Sequence, residues 1–458
     1  MSCGRKYSEC ATNNAHSKIK DTKKDTVMLH ANLDTNEKGH LTIGGVDTVE
    51  IAKEYGTPAY VLDIDAIRAQ MRTYYSALTE CFGENAIPLF ASKALSFKHI
   101  YRIAAEEGLG IDCVSPGEIY TAHSVGFPME RAYFHGNNKT DADLNFAIEC
   151  GVGTIVVDNA DELFSLDAIA KDRGITQRIL LRITPEVDPH THKAIMTGNV
   201  DSKFGSPIST GQAQQIIDMA IKCKNLELVG VHAHIGSQIF DTEPFVTGAE
   251  IMIRFIADIN EKCGYYLREL NLGGGFGVRY VEDDPEIDIV ANIKAIAAEI
   301  DRICSERGIA RPKIMFEPGR SIVAAAGLTL YTVGSVKTVP GFRNYVSIDG
   351  GMPDNPRYAL YGSKYTALIA NKANECADYP CTLAGRCCES GDLIGEGMMI
   401  QTPTRGDTVA VLVTGAYNYS MSSNYNRLPR PPIVAVEGGE HKLVLKRETY
   451  EDVARQDI

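Results

Sequence analysis

Short apolar runs alternate with longer amphipathic stretches along the middle of this chain, between residues 88 and 319. Each run has the length and residue types of a buried strand and ends in a turn or a small residue. The stretches between the runs place apolar residues at helical spacing. The eight strand-like runs are Pro88–Lys93, Gly110–Ser115, Ala132–Gly136, Thr154–Asn159, Arg178–Thr184, Leu228–Gly236, Glu269–Gly275 and Lys313–Gly319.

Eight strands, seven helices between them and one helix before the first strand (Asp65–Cys81) predict a (β/α)8 barrel. A doubly wound open sheet also alternates and is the alternative fold. After Gly319 helical periodicity largely stops. Strand-like runs follow at Leu328–Val339, Tyr345–Asp349, Cys381–Ala384, Thr408–Val413, Ile433–Glu437 and Lys442–Leu445. They predict a second, β-rich domain with a sandwich or barrel-like sheet. The early strand Pro58–Leu62 is expected to join it, which would make that domain discontinuous in sequence.

The pattern divides the 458 residues into four parts. Residues 1–25 are polar and without periodicity, which predicts a disordered tail. Residues 26–63 are expected to contribute to the β-rich domain, 64–319 to form the barrel, and 320–458 to form the C-terminal β-rich domain.

Charge and composition narrow the function classes. A net charge of −13 argues against nucleic acid or an anionic membrane as a partner. No apolar run could span a bilayer, and the first residues lack the apolar segment of a secretory signal. We therefore expect a cytoplasmic protein whose twelve cysteines are reduced thiols.

In a barrel of this type the chemistry lies where strands end. Lys93 ends the first strand. Desolvation after an apolar run is expected to lower its pKa, and a deprotonated lysine is a nucleophile toward aldehydes. The alternative is a lysine that caps the strand and points into water.

The seventh and eighth strands end in residues suited to an anion. The three consecutive glycines that begin Gly273–Gly277 leave backbone N–H groups free to cradle a phosphate, and Arg320 adds a fork of donors. A phosphate site in these loops recurs in this fold. A plain tight turn is the alternative.

His232, His234 and Glu317 are expected at the same mouth. The two histidines alternate and share one face of their strand. They could bind a metal, stack on a flat ring, or be hydrogen-bonded core residues. Glu317 could keep a pyridine nitrogen protonated, or simply pair with Arg320. With Lys93 and the glycines, this set suits pyridoxal 5′-phosphate.

Several segments resemble the alanine-racemase-like barrel decarboxylases that use pyridoxal phosphate, and among them the diaminopimelate decarboxylase family. The likeness runs from about residue 40 to nearly the C-terminus. The matching segments are Phe90–Ala94, Gly110–Ser115, Phe134–Thr140, Asp201–Gly205, His232–Gln238, Gly273–Gly277, Glu317–Arg320, Asp349–Met352, Cys388–Asp392 and Gly415–Tyr417.

The resemblance implies that Lys93 holds the cofactor as an aldimine, that His234 stacks on its ring and that Glu317 contacts the ring nitrogen. Ser237 and the glycine loop would bind the phosphate. The implied cofactor-binding residues are Lys93, His234, Ser237, Gly274, Gly275, Glu317, Pro318, Gly319, Arg320 and Tyr417.

The resemblance also implies a homodimer in which Cys388 is the proton donor, supplied across the interface. Cys387 adjoins it and is the alternative donor; a small buried hydrophobe is the structural alternative for Cys388. The implied substrate-binding residues are Arg320, Arg357, Tyr361, Glu389 and Tyr417.

The implied reaction is the decarboxylation of meso-2,6-diaminopimelate to L-lysine and CO2 through an external aldimine, the last step of lysine biosynthesis. The same chemistry on ornithine, arginine or carboxynorspermidine is the near alternative. A non-catalytic binding barrel and a metal-dependent hydrolase using His232 and His234 are alternatives of other classes.

Overall fold

The computed structural model describes residues 28–83, 86–188 and 201–458. The tail predicted at residues 1–25 lies outside these described residues. The described chain begins with a small antiparallel sheet and leads through one helix into a long strand. These elements are β1 (Leu33–Thr35), β2 (Leu41–Ile43), β3 (Val46–Asp47), α1 (Thr48–Tyr55) and β4 (Ala59–Asp63).

Eight parallel strands close into a barrel, as the alternating pattern predicts. Each pairs with the next along the chain, and the last pairs with the first, since Met315 and Phe316 lie beside Ile87 and Pro88. The (β/α)8 prediction is therefore confirmed, and the open sheet is excluded. The barrel strands are β5 (Ile87–Ala91), β6 (Gly110–Cys113), β7 (Ala132–Phe134), β8 (Thr154–Val157), β9 (Gln177–Thr184), β11 (Leu226–His232), β12 (Glu269–Asn271) and β13 (Lys313–Phe316), with a short β10 (Ser206–Pro207) paired to β9.

Helices cover the outside of the barrel, and polar caps fix where several begin. The Asp63 carboxylate accepts from the backbone N–H of Ala66, and Thr140 with Asp143 forms a capping box. The helices are α2 (Ile64–Phe82), α3 (Lys98–Glu106), α4 (Pro116–His123), α5 (Asp141–Glu149), α6 (Ala160–Asp172), α7 (Gln212–Ala220), α8 (Glu243–Cys263) and α9 (Ile289–Arg307).

Alternate residues of the barrel strands enter two separate cores. Phe90 and Ile155 point outward into the large core between strands and helices. A smaller cluster fills the barrel interior, so the mouth at the strands' carboxyl ends is the place left for a site. The interior residues are Leu89, Tyr133, Val156, Leu180, Val229 and Met315.

A second sheet follows the barrel. In it β4 lies between β14, to which it is antiparallel, and β20, to which it is parallel. Domain boundaries at residues 63 and 319 stay a prediction. The later elements are α10 (Arg320–Val323), β14 (Gly327–Val339), β15 (Arg343–Ile348), α11 (Arg357–Tyr361), β16 (Ala367–Ile369), β17 (Tyr379–Ala384), β18 (Leu393–Ile400), β19 (Thr408–Leu412), β20 (Ile433–Glu437), β21 (Glu440–Leu445) and α12 (Tyr450–Ala454).

Two strands of this sheet, β16 and β18, were not predicted. β16 has three residues. β18 contains Gly395 and Gly397, which interrupt its apolar pattern, and Gly397 takes φ 65°. Within residues 28–83, 86–188 and 201–458, no helix has the length and apolar character needed to cross a bilayer.

Candidate active site

A cavity opens at the mouth of the barrel, where β5, β11, β12 and β13 end. Pro318 is not among its lining residues, and the Pro318 carbonyl accepts from the backbone N–H of Ala91 at 3.1 Å. Most of the predicted cofactor-binding residues line this cavity together. The lining residues are Ala91, Lys93, His234, Ser237, Gly274, Gly275, Phe276, Glu317, Gly319, Arg320, Ser321 and Tyr417.

Lys93 lies in a single 3-10 turn, Ser92–Ala94, directly after β5. Its side chain is exposed, because it faces the cavity. Charged groups lie around it. Desolvation inside the cavity would lower the pKa of Lys93, but Asp112, Tyr417 and Glu317 raise it above its usual value. The predicted lowering of the Lys93 pKa is therefore wrong, because nearby acidic groups outweigh desolvation.

Glu317 follows β13 and is buried among donors. Its Oε1 accepts from Asn271 Nδ2 at 2.6 Å, and its Oε2 lies 3.1 Å from His232 Nε2. His135 Nε2 lies 2.8 Å from Oε1. Burial would raise the pKa of this carboxyl, but the two histidines hold it well below its usual range. Glu317 is therefore ionised at neutral pH.

The two predicted histidines have different environments. Burial lowers the pKa of His232 to about 4 despite the neighbouring Glu317, so a neutral ring donates from Nε2 to the carboxylate. His234 lines the cavity, and its Nδ1 accepts from the Gly274 N–H at 3.3 Å. Burial lowers the pKa of His234 as well, so a neutral imidazole faces the cavity.

The glycine loop permits close backbone approach more than it supplies free amides. A Cβ on Gly274 would lie 2.3 Å from the Glu317 carbonyl oxygen, and one on Gly275 would lie 2.6 Å from that of Gly236. The Gly273 N–H already donates to Asn271 Oδ1 at 2.9 Å, and that of Gly274 donates to His234. The expectation of three free N–H groups is therefore wrong for two of them.

Arg320 is buried beside the glycine loop. Its Nη2 donates to Ser237 Oγ and its Nη1 to the Tyr280 hydroxyl, both at 2.9 Å. The alternative in which Glu317 simply pairs with Arg320 does not occur, because the carboxylate has its own donors.

Tyr417 brings two arginines to one side of the cavity. The guanidinium carbons of Arg320 and Arg357 lie 4.7 Å and 5.2 Å from its ring centroid. Arg357 also lies over the ring of Tyr361 at 5.3 Å, and Tyr361 is exposed at the outer side. This corner can attract a carboxylate group.

Cys388 and Glu389 do not join the cavity within the described part of the chain. Both are exposed. The N–H of Cys388 donates to Asn426 Oδ1 at 2.8 Å, and the N–H of Cys387 donates to Asp392 at 2.6 Å. Burial and Asp392 raise the pKa of the Cys387 thiol to about 12.

Sequence reasoning gave no role to four residues of this region: Asp112, His135, Asn271 and Tyr280. The first three lie in or directly after barrel strands, at β6, β7 and β12. Inspecting the ends of all eight strands, rather than four, would have found Asp112 and His135. No local signal marks Tyr280, which contacts Arg320 through the fold alone.

The chain matches known proteins along most of its length. Residues 64–324 match the family described as pyridoxal-dependent decarboxylase, pyridoxal binding domain. A diaminopimelate decarboxylase of Bacillus subtilis (strain 168) is 47% identical over 432 residues, 94% of this chain and 98% of the relative.

Solved structures agree with this match. The diaminopimelate decarboxylase of M. jannaschii has a TM-score of 0.86 at 33% identity, covering 93% of this chain and 98% of the other. The structure of that enzyme in complex with L-lysine has a TM-score of 0.85 at 33% identity, covering 94% of this chain and 99% of the other. The chain therefore belongs to the pyridoxal-dependent decarboxylases and, among them, to the diaminopimelate decarboxylase family.

Proposed function

We propose that this protein decarboxylates meso-2,6-diaminopimelate to L-lysine and CO2 with pyridoxal 5′-phosphate, as the last step of lysine biosynthesis. The observation that carries the proposal is that Lys93 and the ionised Glu317 line one cavity in a chain 47% identical to a diaminopimelate decarboxylase. The cavity thus offers an amine for an aldehyde and a carboxylate for a ring nitrogen.

The residues present fit the cofactor. The Gly274–Gly275 backbone makes an approach that a Cβ would block. Arg320, with a buried Nε that has no hydrogen-bond partner in the described chain, and Ser237 lie beside that loop and suit a phosphate. Lys93 would bind the aldehyde carbon, and the neutral His234 would lie against the ring.

When bound, the cofactor supplies an electron sink for the charge left on the substrate carbon by loss of CO2. Glu317 would keep the ring nitrogen protonated, since His135 and His232 hold its own pKa well below the usual range. His234 would add no charge of its own, because its neutral form is favoured.

Recognition of the substrate would use the arginine corner. Arg320 and Arg357, held near the Tyr417 ring, would bind the distal carboxylate, with Tyr361 at the rim. Glu389 would bind the distal ammonium. A substrate with two amino-acid ends accounts for both charge types, whereas ornithine and arginine lack the second carboxylate.

We also propose a homodimer whose sites are completed across the interface. Cys388 and Glu389 are exposed outside the cavity of their own chain, which suits delivery to a partner. Cys388 would return a proton to the substrate carbon.

The dimer proposal has a mixing test. Lys93→Ala and Cys388→Ala should each be nearly inactive alone. When the two variants are refolded together in equal amounts, about a quarter of wild-type activity should return, because half of the dimers are mixed and each mixed dimer holds one intact site. No recovery, although the two variants carry different affinity tags and copurify as mixed dimers, would contradict the shared site.

The first experiment is an absorbance spectrum with pyridoxal phosphate, followed by borohydride reduction and peptide mapping. We expect a label at Lys93 in the wild type and none at that position in Lys93→Ala. The exposed Lys98→Ala is the matched control and should still label at Lys93. An unlabelled wild type would overturn the cofactor assignment.

The substrate is then identified by measuring CO2 release from meso-diaminopimelate, ornithine, arginine and carboxynorspermidine, with lysine formation measured for diaminopimelate. Preference for one of the last three would replace the proposed substrate. The cytoplasm as location and the boundaries at residues 25, 63 and 319 are further proposals, which cell fractionation and limited proteolysis test.

A further inference from the structure

His135 is a buried titratable residue to which the proposed reaction assigns no direct role. It follows β7, and its backbone N–H donates to the Cys113 carbonyl at 2.8 Å. Its ring meets that of His232 edge-on, with centroids 4.7 Å apart and an interplanar angle of 72°. The backbone contact and the ring contact together fix the direction of its Nε2 atom.

That atom lies between two buried carboxylates. His135 Nε2 is 2.8 Å from Glu317 Oε1 and 3.7 Å from Asp112 Oδ1. Both are ion-pair contacts, and neither His135 Nε2 nor Asp112 Oδ1 has a hydrogen-bond partner in the described chain. An N–H on His135 Nε2 therefore interacts only with the carboxylates of Asp112 and Glu317 within the described chain.

We propose that His135 is a positioning residue that holds Glu317 ionised and directed at the cavity, and thereby keeps the ring nitrogen of the bound cofactor protonated. The inference rests on the proposed function, because it assigns His135 a task only if a pyridine nitrogen meets Glu317. His135 itself acts through Glu317 and does not line the cavity.

The physical reason lies in the donors to one buried carboxylate. Glu317 Oε1 is contacted by both His135 and Asn271, while Oε2 has His232. Donors stabilise the charged form of a buried acid, and losing one leaves part of the charge unsolvated. The proton shared with the ring nitrogen then moves toward the carboxylate, which weakens the electron sink.

Ligand atoms of His135, His232 and Glu317 also lie within 4.8 Å of one another, a spacing that could hold a metal ion. The Asn271 amide competes with that reading, because it already donates to Oε1 at 2.6 Å. Hydrogen-bond donors thus account for the carboxylate without an ion.

The test uses a matched pair of variants, His135→Gln and His135→Met. The two side chains have nearly the same shape, but only glutamine has an N–H donor near the position of Nε2. Holoenzyme is loaded with pyridoxal phosphate carrying 15N in its ring, and the 15N chemical shift reports whether the ring nitrogen is protonated.

We expect the Met variant to shift toward the signal of an unprotonated pyridine and the Gln variant to stay near the wild type. The kcat of the Met variant should fall by about ten- to a hundredfold, equivalent to one or two pKa units on Glu317, with KM nearly unchanged. His99→Met, outside the cavity lining, controls for loss of an imidazole.

Equal 15N shifts in the wild type, Gln and Met proteins would overturn the role of His135. Borohydride labelling at Lys93 separates this result from failure of the proposed function, since an unlabelled wild type removes the cofactor itself. If the Met variant does not fold or does not bind pyridoxal phosphate, a measurement on the wild-type protein tests the proposal instead. Its His135 Nε2 proton signal, assigned by its loss in the Gln variant, must move in Glu317→Gln, and an unmoved signal contradicts the proposal.

Discussion

The backbone N–H of Tyr417 donates to the carbonyl oxygen of Ala94 at 2.7 Å, and Ala94 directly follows Lys93. Tyr417 makes this contact with φ 63°, a left-handed conformation that costs a residue with a side chain about 1 kcal/mol. A strained residue from the chain after β19 is thus bonded to the turn that carries the reactive lysine. The contact sets the tyrosine ring against the cavity.

Tyr417→Ala should weaken substrate binding through the loss of its ring. Arg320 and Arg357 each lose a cation–π contact, which predicts a rise in KM of about five- to thirtyfold. Tyr417→Phe keeps the ring and should keep the arginines in place. Steady-state kinetics of both variants with diaminopimelate check this, and equal KM values for Ala and Phe would refute the role of the ring.

Uptake of pyridoxal phosphate by the apoprotein should accelerate as pH rises. Acidic neighbours raise the pKa of Lys93, so the amine is protonated at neutral pH and becomes a nucleophile only as pH approaches that pKa. Asp112→Asn removes the neighbour that raises the Lys93 pKa most, so the rate profile should move to lower pH. At a fixed pH below that pKa, uptake should be about tenfold faster for each unit by which the pKa of Lys93 falls.

Stopped-flow absorbance from pH 6 to pH 9 would measure that profile. Asp161→Asn, on the outer helix α6, is the matched control and should leave it in place. A profile in Asp112→Asn that moves to higher pH would contradict the assignment of Asp112.

Cys388→Ala should lower kcat by about a hundredfold or more, because it removes the proposed proton donor. Cys387→Ala should lower it far less, since a thiol with a pKa of about 12 gives up its proton poorly at neutral pH. Lysine formation in the two variants separates the adjacent cysteines. The reverse order of effects would move the role to Cys387.

Lys139→Met should destabilise the fold by about 3–5 kcal/mol, because it leaves the Glu162 carboxylate buried without its partner. The two charges lie 2.9 Å apart, with side chains only 2% and 3% exposed. Adding Glu162→Gln should recover much of the loss. Urea unfolding at pH 7 measures the stability of the single and the double variant. Lys294→Met, which breaks the exposed pair Lys294–Glu80, is the control and should have almost no effect.

The barrel could be predicted because its signals are local. Runs such as Thr154–Val157 are apolar after their first residue, and polar caps such as Asn159 mark where helices begin. Lys93 and Glu317 could be predicted for the same reason, since each lies within two residues of the end of an apolar run. Their role then needed only the rule that strand ends meet at one mouth.

The environment of each group could not be predicted, because it depends on barrel closure. His135 follows the third barrel strand, yet it contacts Glu317 after the eighth. The sequence pattern carries no measure of that distance. The sign of the Lys93 pKa shift was wrong for the same reason, since Asp112 approaches only in the folded barrel.

The position of β4 has a consequence for synthesis of the chain. This strand is made before the barrel, but it pairs with β14, which begins at Gly327, and with β20, which begins at Ile433. A growing chain must therefore carry β4 unpaired past the whole barrel until β14 is made, and with one edge still open until β20 is made. Truncation before Ile433 would leave that strand half-paired, so premature termination yields a product with an open sheet edge rather than a smaller enzyme.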